Sequence, residues 1–196
     1  MKIKKIFILF LICIFNHAVA YAIKPDIFVQ STVNRASKLL AENISKDEKI
    51  AELKKIAKET VDIKGIGLYT LGPIRKDLSE DQKKTYHDLF EDYFLKSFSS
   101  RLAEYTNPEI DVYDKKILNE NYTIVNSLLV AKDDRPEVKI DWRIYTKNPD
   151  NPKIRDLIIE GLSLARTQKE EFSSILNSNN GDINALFLVL EEFSKN

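Results

Sequence analysis

The chain has 196 residues, of which 31% are charged and 43% hydrophobic, and its 30 basic residues balance its 30 acidic ones. This length and composition are typical of one globular domain, or one domain with a subdomain, that buries a substantial core. The sequence contains no internal repeat, low-complexity tract or linker. Composition therefore excludes a repeat array and gives no reason to divide the chain.

A secretory signal peptide is predicted over residues 1–22. Three lysines precede an unbroken apolar run at residues 6–15, and the triplets 18–20 and 20–22 both have the Ala-x-Ala pattern of a cleavage site. The apolar run is too short to span a bilayer comfortably, although a retained membrane anchor is the alternative interpretation. We therefore expect an exported protein.

Loss of this segment would change the chemistry that the chain can perform. Cys13 is the only cysteine, so the mature chain would have no disulfide, no thiolate nucleophile and no cysteine metal site. Three lysines and no acidic residue would be lost, which leaves a net charge of −3. A negative net charge argues against stable binding to nucleic acid or to an anionic membrane surface.

The N-terminal half of the chain is predicted to be helical. Capping boxes at Ser45 and Ser79 open two helices, because each serine is followed three residues later by Glu or Gln. Asp62 caps a short helix between them, which Gly72 and the following proline stop. The predicted helices cover residues 25–44, 46–60, 63–69 and about 79–105.

The longest of these helices carries a dense stripe of aromatic residues and leucine. Such a stripe usually packs in a core, but this many rings would also suit the wall of an apolar cavity. Its members recur at spacings of three and four, which places them along one side of a helix: Tyr86, Leu89, Phe90, Tyr93, Phe94, Phe98 and Leu102.

Strands follow after Pro108. Short turns at residues 119–121, 133–136 and 148–152 favour an antiparallel meander. Asp141 and Arg143 share one face of the third strand, where a structural salt bridge is expected. Four strands are predicted, at residues 110–117, 122–131, 138–145 and 154–162, before helices at 164–176 and 182–193.

A paired sheet that leads directly into a covering helix is typical of a small α+β fold. The predicted domain therefore spans residues 23–196, and no boundary divides it. It has a mainly helical part at 23–107, a sheet at 108–163 and C-terminal helices at 164–196.

The residues give little support for catalysis. His87 would be the only histidine left after cleavage, and no G-x-S-x-G, P-loop or dinucleotide-binding motif is present. Carboxylates do not occur at metal-ligand spacing. Tyr69, Tyr93 and Asp156 are conceivable acid–base groups, but the sequence identifies a partner for none of them. We predict no catalytic residue and no metal site.

Four segments carry a resemblance to a known family. Residues 61–72 are similar to its "FDF…M…Y.LG" pattern, residues 79–90 to "S.eQ…F…F", and residues 140–144 to "V.Y.L". The most specific match is the run from Asp156 to Leu164 followed by Phe172, which is close to "DV.vEGvSl…….F". In this order they resemble the MlaC family of periplasmic phospholipid-binding proteins, also described as toluene-tolerance proteins.

The sequence departs from the family pattern at three places. Arg75 stands where the family usually has a tryptophan after the LG pair. The family's "WKvyD" reads Pro-Lys-Ile-Arg-Asp at residues 152–156. Its aromatic and basic pair in "nYR.qF" is replaced by Gln168 and Lys169.

The resemblance implies a fold and a role. The fold would be an NTF2-like four-stranded antiparallel sheet with an added helical part, enclosing an apolar pocket for acyl chains. The role would be a non-enzymatic periplasmic carrier, with phospholipid as cargo rather than cofactor. Its partners would be an outer-membrane lipoprotein complex and an inner-membrane ABC transporter with an MCE-domain subunit, and its task to maintain outer-membrane lipid asymmetry. We expect a monomer.

Several faces are expected to supply the lining of the pocket. These faces belong to the short helix, the longest helix, the sheet and the covering helix. The predicted lipid-binding residues are Ile66, Tyr69, Phe90, Phe94, Phe98, Val125, Ile140, Trp142, Ile144, Leu157, Ile159 and Phe172. The alternatives are a carrier of hopanoid or another lipid, an NTF2-like enzyme acting on a small apolar substrate, and a periplasmic interaction module with a filled core.

Overall fold

The computed structural model describes residues 22–132 and 136–195. Most of the predicted signal peptide, including Cys13, and most of the predicted turn at 133–136 lie outside the described residues. Within the described ranges, no helix combines the length and the apolarity that crossing a membrane requires.

In the described part of the chain, six α-helices and a five-stranded antiparallel sheet form an α+β fold. The N-terminal part contains α1 (Pro25–Ala41), α2 (Lys46–Thr60), α3 (Ile63–Thr70), a 3-10 helix (Gly72–Lys76) and α4 (Glu80–Leu102). The strands are β1 (Ile110–Asn119), β2 (Tyr122–Leu129), β3 (Val138–Tyr145), β4 (Lys153–Ile159) and β5 (Leu162–Ser163). The chain ends with α5 (Leu164–Ser178) and α6 (Ile183–Lys195).

The predicted helix starts are confirmed by their side-chain caps. Ser45 Oγ accepts a hydrogen bond from the Glu48 amide at 3.2 Å, and Glu48 Oε2 accepts one from the Ser45 amide at 2.9 Å. Ser79 caps α4 in the same reciprocal way. The Gly65 amide donates to Asp62 Oδ1 at 2.9 Å at the start of α3. These caps satisfy backbone donors that a helix leaves unpaired.

The sheet is a meander in which neighbours in the chain are neighbours in space, in the order β1-β2-β3-β4-β5. Buried residues alternate along β2 at Thr123, Val125 and Ser127, so one face of the sheet packs against the helical layer. Helices α1, α3 and α5 contact the strands. Register shifts in the β1–β2 and β3–β4 pairs mark irregularities of the kind that bend a sheet.

The predicted fourth strand at 154–162 is wrong at its end. The strand stops at Ile159, because Glu160 and Gly161 adopt positive φ values of 49° and 83° and reverse the chain. Leu162 and Ser163 then pair antiparallel with Ile159 and Ile158 as the fifth strand. The apolar run of β4 hid this turn, although Gly161 is the residue that accepts such a φ most readily.

The junction between β5 and α5 is held by a buried carboxylate. Asp156 Oδ1 accepts a hydrogen bond from the Ala165 amide at 3.0 Å, and Asp156 Oδ2 accepts one from Ser163 Oγ at 2.6 Å. Ser163 Oγ in turn accepts from the Arg166 amide at 3.1 Å. This network fixes where α5 begins and therefore which face of the helix turns inward.

Candidate functional site

The interior between the sheet and the helices gathers most of the predicted lipid-binding residues. Its walls are α3, α4, α5 and the inner face of β2, β3 and β4. Ten of the twelve predicted residues belong to this single apolar region. Six are buried in one continuous core cluster: Ile66, Phe90, Val125, Trp142, Ile144 and Phe172. Four are half-buried and pack against that cluster: Phe94, Phe98, Ile140 and Leu157.

The other two predicted residues lie elsewhere. Ile159 is half-buried at the end of β4, where it pairs with Ile140 and Leu162. Tyr69 is 43% exposed on the outer side of α3 and contributes to a surface groove rather than to the interior. Its spacing from Ile66 suggested a shared face. In the structure, however, Gly67 and Thr70 complete the buried side of α3.

Aromatic rings fill the interior and contact one another. The Tyr86 and Phe90 rings stack with centroids 5.6 Å apart, and Phe172 meets Phe90 edge-on at 6.2 Å and 87°. Phe94 and Phe98 stack at 5.6 Å with an interplanar angle of 10°. Such geometries add to the stabilisation that burial of the rings provides.

Helix α3 approaches α4 closely because it carries a glycine at the contact. A Cβ atom on Gly67 would lie 2.9 Å from Phe90 Cδ1, closer than van der Waals contact permits. The absence of a side chain therefore lets the Phe90 ring pack directly against the α3 backbone. The Gly-Ile-Gly run at 65–67, which carries little information as a motif, has this packing role in the structure.

The polar atoms of the interior are paired. Thr70 Oγ1 and the Tyr86 hydroxyl are hydrogen-bonded at 2.8 Å, and burial raises the pKa of Tyr86 above its ordinary value. Trp142 Nε1 donates to Ser127 Oγ at 2.8 Å, which donates to the Ile140 carbonyl at 2.9 Å. Because these donors are satisfied within the protein, they do not require a ligand.

Two of the three conceivable acid–base groups, Asp156 and Tyr93, have hydrogen-bonding partners, and the third, Tyr69, lies under the Lys169 ammonium at the surface. The Asp156 carboxylate caps α5, as described above. The Tyr93 hydroxyl donates to Gln168 Oε1 at 2.7 Å, and burial is the main cause that raises the Tyr93 pKa. In the part of the chain that the structure describes, no group of three or more His, Cys, Asp or Glu side chains could hold a metal ion.

The expected salt bridge between Asp141 and Arg143 is wrong. Asp141 Oδ1 instead accepts a hydrogen bond from Asn126 Nδ2 at 2.7 Å across the β2–β3 pair. No ion pair involving Arg143 forms among residues 22–132 and 136–195. Side chains two apart on a strand share a face, but the directly opposite neighbour on the next strand is closer.

Sequence reasoning missed the contributions of the first and last helices to this region. Val29 and Val33 of α1 and Leu186 and Leu190 of α6 are buried in the same cluster. The signal was present in α6, whose buried residues recur at three and four positions from Ile183.

Two pockets open at the surface of the described residues. One is a cleft of about 240 Å³ between the end of α4, the start of β1 and the end of β2. The other is a groove of about 700 Å³ along the outer face of α5, with Tyr69 on its far side. Polar side chains predominate in the groove, so it differs chemically from the interior.

An antiparallel sheet packed over an aromatic interior has the architecture of a small ligand-binding α+β domain. The chain matches the family described as MlaC protein over residues 30–192, and it belongs to that family.

Solved structures share this fold, and one of them is described by its bound ligand. It is the phospholipid-binding protein from Ralstonia solanacearum, in complex with a phospholipid at 1.53 Å resolution. The two sequences are 18% identical, and the match covers 88% of this chain and 98% of that chain with a TM-score of 0.74. The likeness establishes a common fold. No protein with a curated description matches the chain.

Proposed function

We propose that this protein binds a phospholipid and holds its acyl chains in the interior between the sheet and the helices. The observation that carries the proposal is the convergence of ten predicted apolar residues from α3, α4, α5 and three strands on one region. Membership of the MlaC family and the bound phospholipid in the protein of the same fold support it.

Enclosure of the acyl chains follows from the cost of exposing them to water. Two chains carry about 30 methylenes, and at about 0.8 kcal/mol each their exposure would cost roughly 25 kcal/mol. A carrier that crosses an aqueous space must therefore cover most of this surface. Only an apolar region with walls on several sides does so, and the interior is walled by both layers of the fold.

Entry of the lipid requires the packed rings to separate. Phe94 and Phe98 are half-buried at the margin of the core and stack mainly on each other. Their rotation opens the interior with the smallest loss of contact, whereas Phe90 and Phe172 are buried at its centre. The interior then expands when the lipid enters.

The wider role extends the same proposal. The protein acts in the periplasm and moves phospholipid between an outer-membrane lipoprotein complex and an inner-membrane ABC transporter with an MCE-domain subunit, which maintains outer-membrane lipid asymmetry. The signal-peptide pattern at residues 1–22 and the family membership support this role. Hopanoid or another lipid of similar length would fit the same interior. The mass of the bound lipid therefore identifies the cargo.

Lipid co-purification tests the proposal with a matched pair of variants. Ile140→Trp inserts bulk at the margin of the interior, and Ile117→Trp makes the same change on β1 at a side chain that is 74% exposed. Native mass spectrometry should detect bound lipid on the wild type and on Ile117→Trp, and much less on Ile140→Trp. Equal lipid on both folded variants, or none on the wild type, would refute lipid binding in the interior.

A further inference from the structure

The outer face of α5 forms one wall of a groove that is separate from the apolar interior. We call it the α5 groove and define it by Arg166, Lys169, Glu170, Ser173, Asn177 and, across from the helix, Tyr69. The α5 members recur at spacings of three and four, so they share one side of the helix. The groove has a volume of about 700 Å³ and follows α5 for roughly 18 Å, given the rise of 1.5 Å per residue.

The described lining residues of the groove include two cations and one carboxylate. Arg166 and Lys169 form no ion pair within residues 22–132 and 136–195. The Lys169 ammonium instead lies 5.2 Å from the centroid of the Tyr69 ring, in a cation–π contact that positions its charge in the groove. Among the residues that the structure describes, Glu170 supplies the one carboxylate that lines the groove.

A third cation, Arg75, lies on the 3-10 helix that follows α3. Arg75 Nη1 donates to the Gly72 carbonyl at 2.6 Å, and Lys169 Cε lies 3.4 Å from the position that a Cβ on Gly72 would occupy. Arg75 and Lys169 therefore both lie beside Gly72. Lys169 keeps the basic charge of the family's aromatic and basic pair, whereas Arg75 adds a charge where the family usually has a tryptophan.

The rest of the groove offers neutral hydrogen-bonding groups. Asn177, Ser174 and Ser178 line it and make no side-chain hydrogen bond within the described residues. Amide and hydroxyl groups of this kind pair with a peptide backbone and with carboxylates. An acyl chain would gain little from them, because their desolvation would not be compensated.

We propose that the α5 groove binds an acidic segment of a partner protein. The Arg166 and Lys169 cations supply charge complementarity, and the length suits two or three helical turns or a short extended strand. Tyr69 belongs to this docking surface and not to the lipid site. Peptide binding in the α5 groove goes beyond the carrier function, because it does not depend on the interior.

The test measures binding of a fluorescein-labelled ten-residue glutamate peptide to the purified protein at low and moderate salt. Amide NMR shifts should concentrate in α5 and around Tyr69, and binding should weaken with salt. Arg166→Gln/Lys169→Gln should weaken binding by roughly fivefold, as expected for two exposed ion pairs. Glu170→Gln should strengthen it by roughly twofold, because it removes the repelling carboxylate.

The control is Lys38→Gln/Lys84→Gln, which removes two exposed lysines on α1 and α4 and lowers the net charge equally. The proposal is overturned if this control weakens binding as much as the groove variant. It is also overturned if the wild type ignores the peptide but binds phosphatidylglycerol vesicles through Arg166 and Lys169, which would make the groove a membrane contact. If the groove variant misfolds, Glu170→Gln is the deciding variant. An affinity for the peptide equal to that of the wild type then refutes the proposal.

The two proposals fail in distinguishable ways. The Ile140→Trp variant should lose its lipid but still bind the peptide in the α5 groove, because Ile140 lies on the inner face of the sheet. Loss of peptide binding from Arg166→Gln/Lys169→Gln should leave lipid co-purification unchanged. A variant of either kind that loses both would show that the two sites are not separate.

Discussion

Helix α5 presents opposite chemistry to two regions of the molecule. Its inward residues Ala165, Phe172 and Leu176 are buried against α4 and the sheet, whereas Arg166 and Lys169 face the α5 groove. The inward face is fixed by close packing, and the outward face by solvated charge. Substitutions on the two faces should therefore change the free energy of unfolding by amounts that differ by about an order of magnitude.

The sharpest contrast is between neighbouring residues of α5. Phe172→Ala removes a ring that contacts Tyr86, Phe90 and Tyr93, and it should lower the free energy of unfolding by about 3–5 kcal/mol. Ser173→Ala, one residue on and turned outward, should change it by less than about 0.5 kcal/mol. Urea denaturation measures both variants, and similar losses would contradict the two-faced description of α5.

The junction that orients α5 should give the next largest effect. Asp156→Ala removes the acceptor for the Ala165 amide and for the Ser163 hydroxyl in a buried setting. Leaving both donors unpaired should cost about 2–3 kcal/mol of unfolding free energy. Asp141→Ala, at a half-buried carboxylate with one hydrogen bond, is the control and should cost about 1 kcal/mol. Equal losses would mean that Asp156 does not fix the start of the helix.

Close packing of α3 on α4 can be tested by a single methyl group. Gly67→Ala places a Cβ 2.9 Å from Phe90 Cδ1 and should destabilise the fold by about 1–3 kcal/mol through overpacking. Gly67 is helical, so alanine would otherwise favour the folded state by roughly 1 kcal/mol. Thermal unfolding that shows an increased Tm for Gly67→Ala would contradict the packed interface.

The smallest effect is expected at an exposed ion pair outside both regions. Lys115 Nζ lies 2.6 Å from Asp26 Oδ1, and this hydrogen bond lowers the pKa of Asp26 below 3.8. A lowered pKa in the folded state stabilises the protein above pH 4, and that contribution is lost as the pH falls through the folded-state pKa. Asp26→Asn should thus be slightly less stable than the wild type at pH 7. Denaturation curves should converge below pH 4, and a difference that grows there would contradict the ion pair.

Most of the fold follows from the sequence because its signals are local. A serine with Glu or Gln three residues later marks the start of α2 and of α4. The alternation of apolar and polar residues over 138–145 matches β3 at both ends. The end of β4 could not be found this way. Glu160 adopts a positive φ that its residue type does not favour, and the pairing of Leu162 with Ile159 imposes that conformation.

The two regions differ in how far the sequence reveals them. Apolar periodicity marks the interior, because every buried position must be apolar or paired. The α5 groove has no such signal, since Arg166 and Lys169 look like any solvated helix face until Tyr69 and Gly72 are brought beside them. The structure places Tyr69 outside the interior, because its residue type suits both environments and only the tertiary contact of α3 with α5 decides between them.

Photocrosslinking tests most directly whether acyl chains enter the interior. A phosphatidylethanolamine with a diazirine at the end of one acyl chain is incubated with the purified protein, irradiated, and the adducts are mapped by peptide mass spectrometry. The account predicts adducts on α4 around Phe94 and Phe98 and on the inner face of β3 around Ile140. Adducts confined to the α5 groove, or absent altogether under saturating lipid, would contradict it.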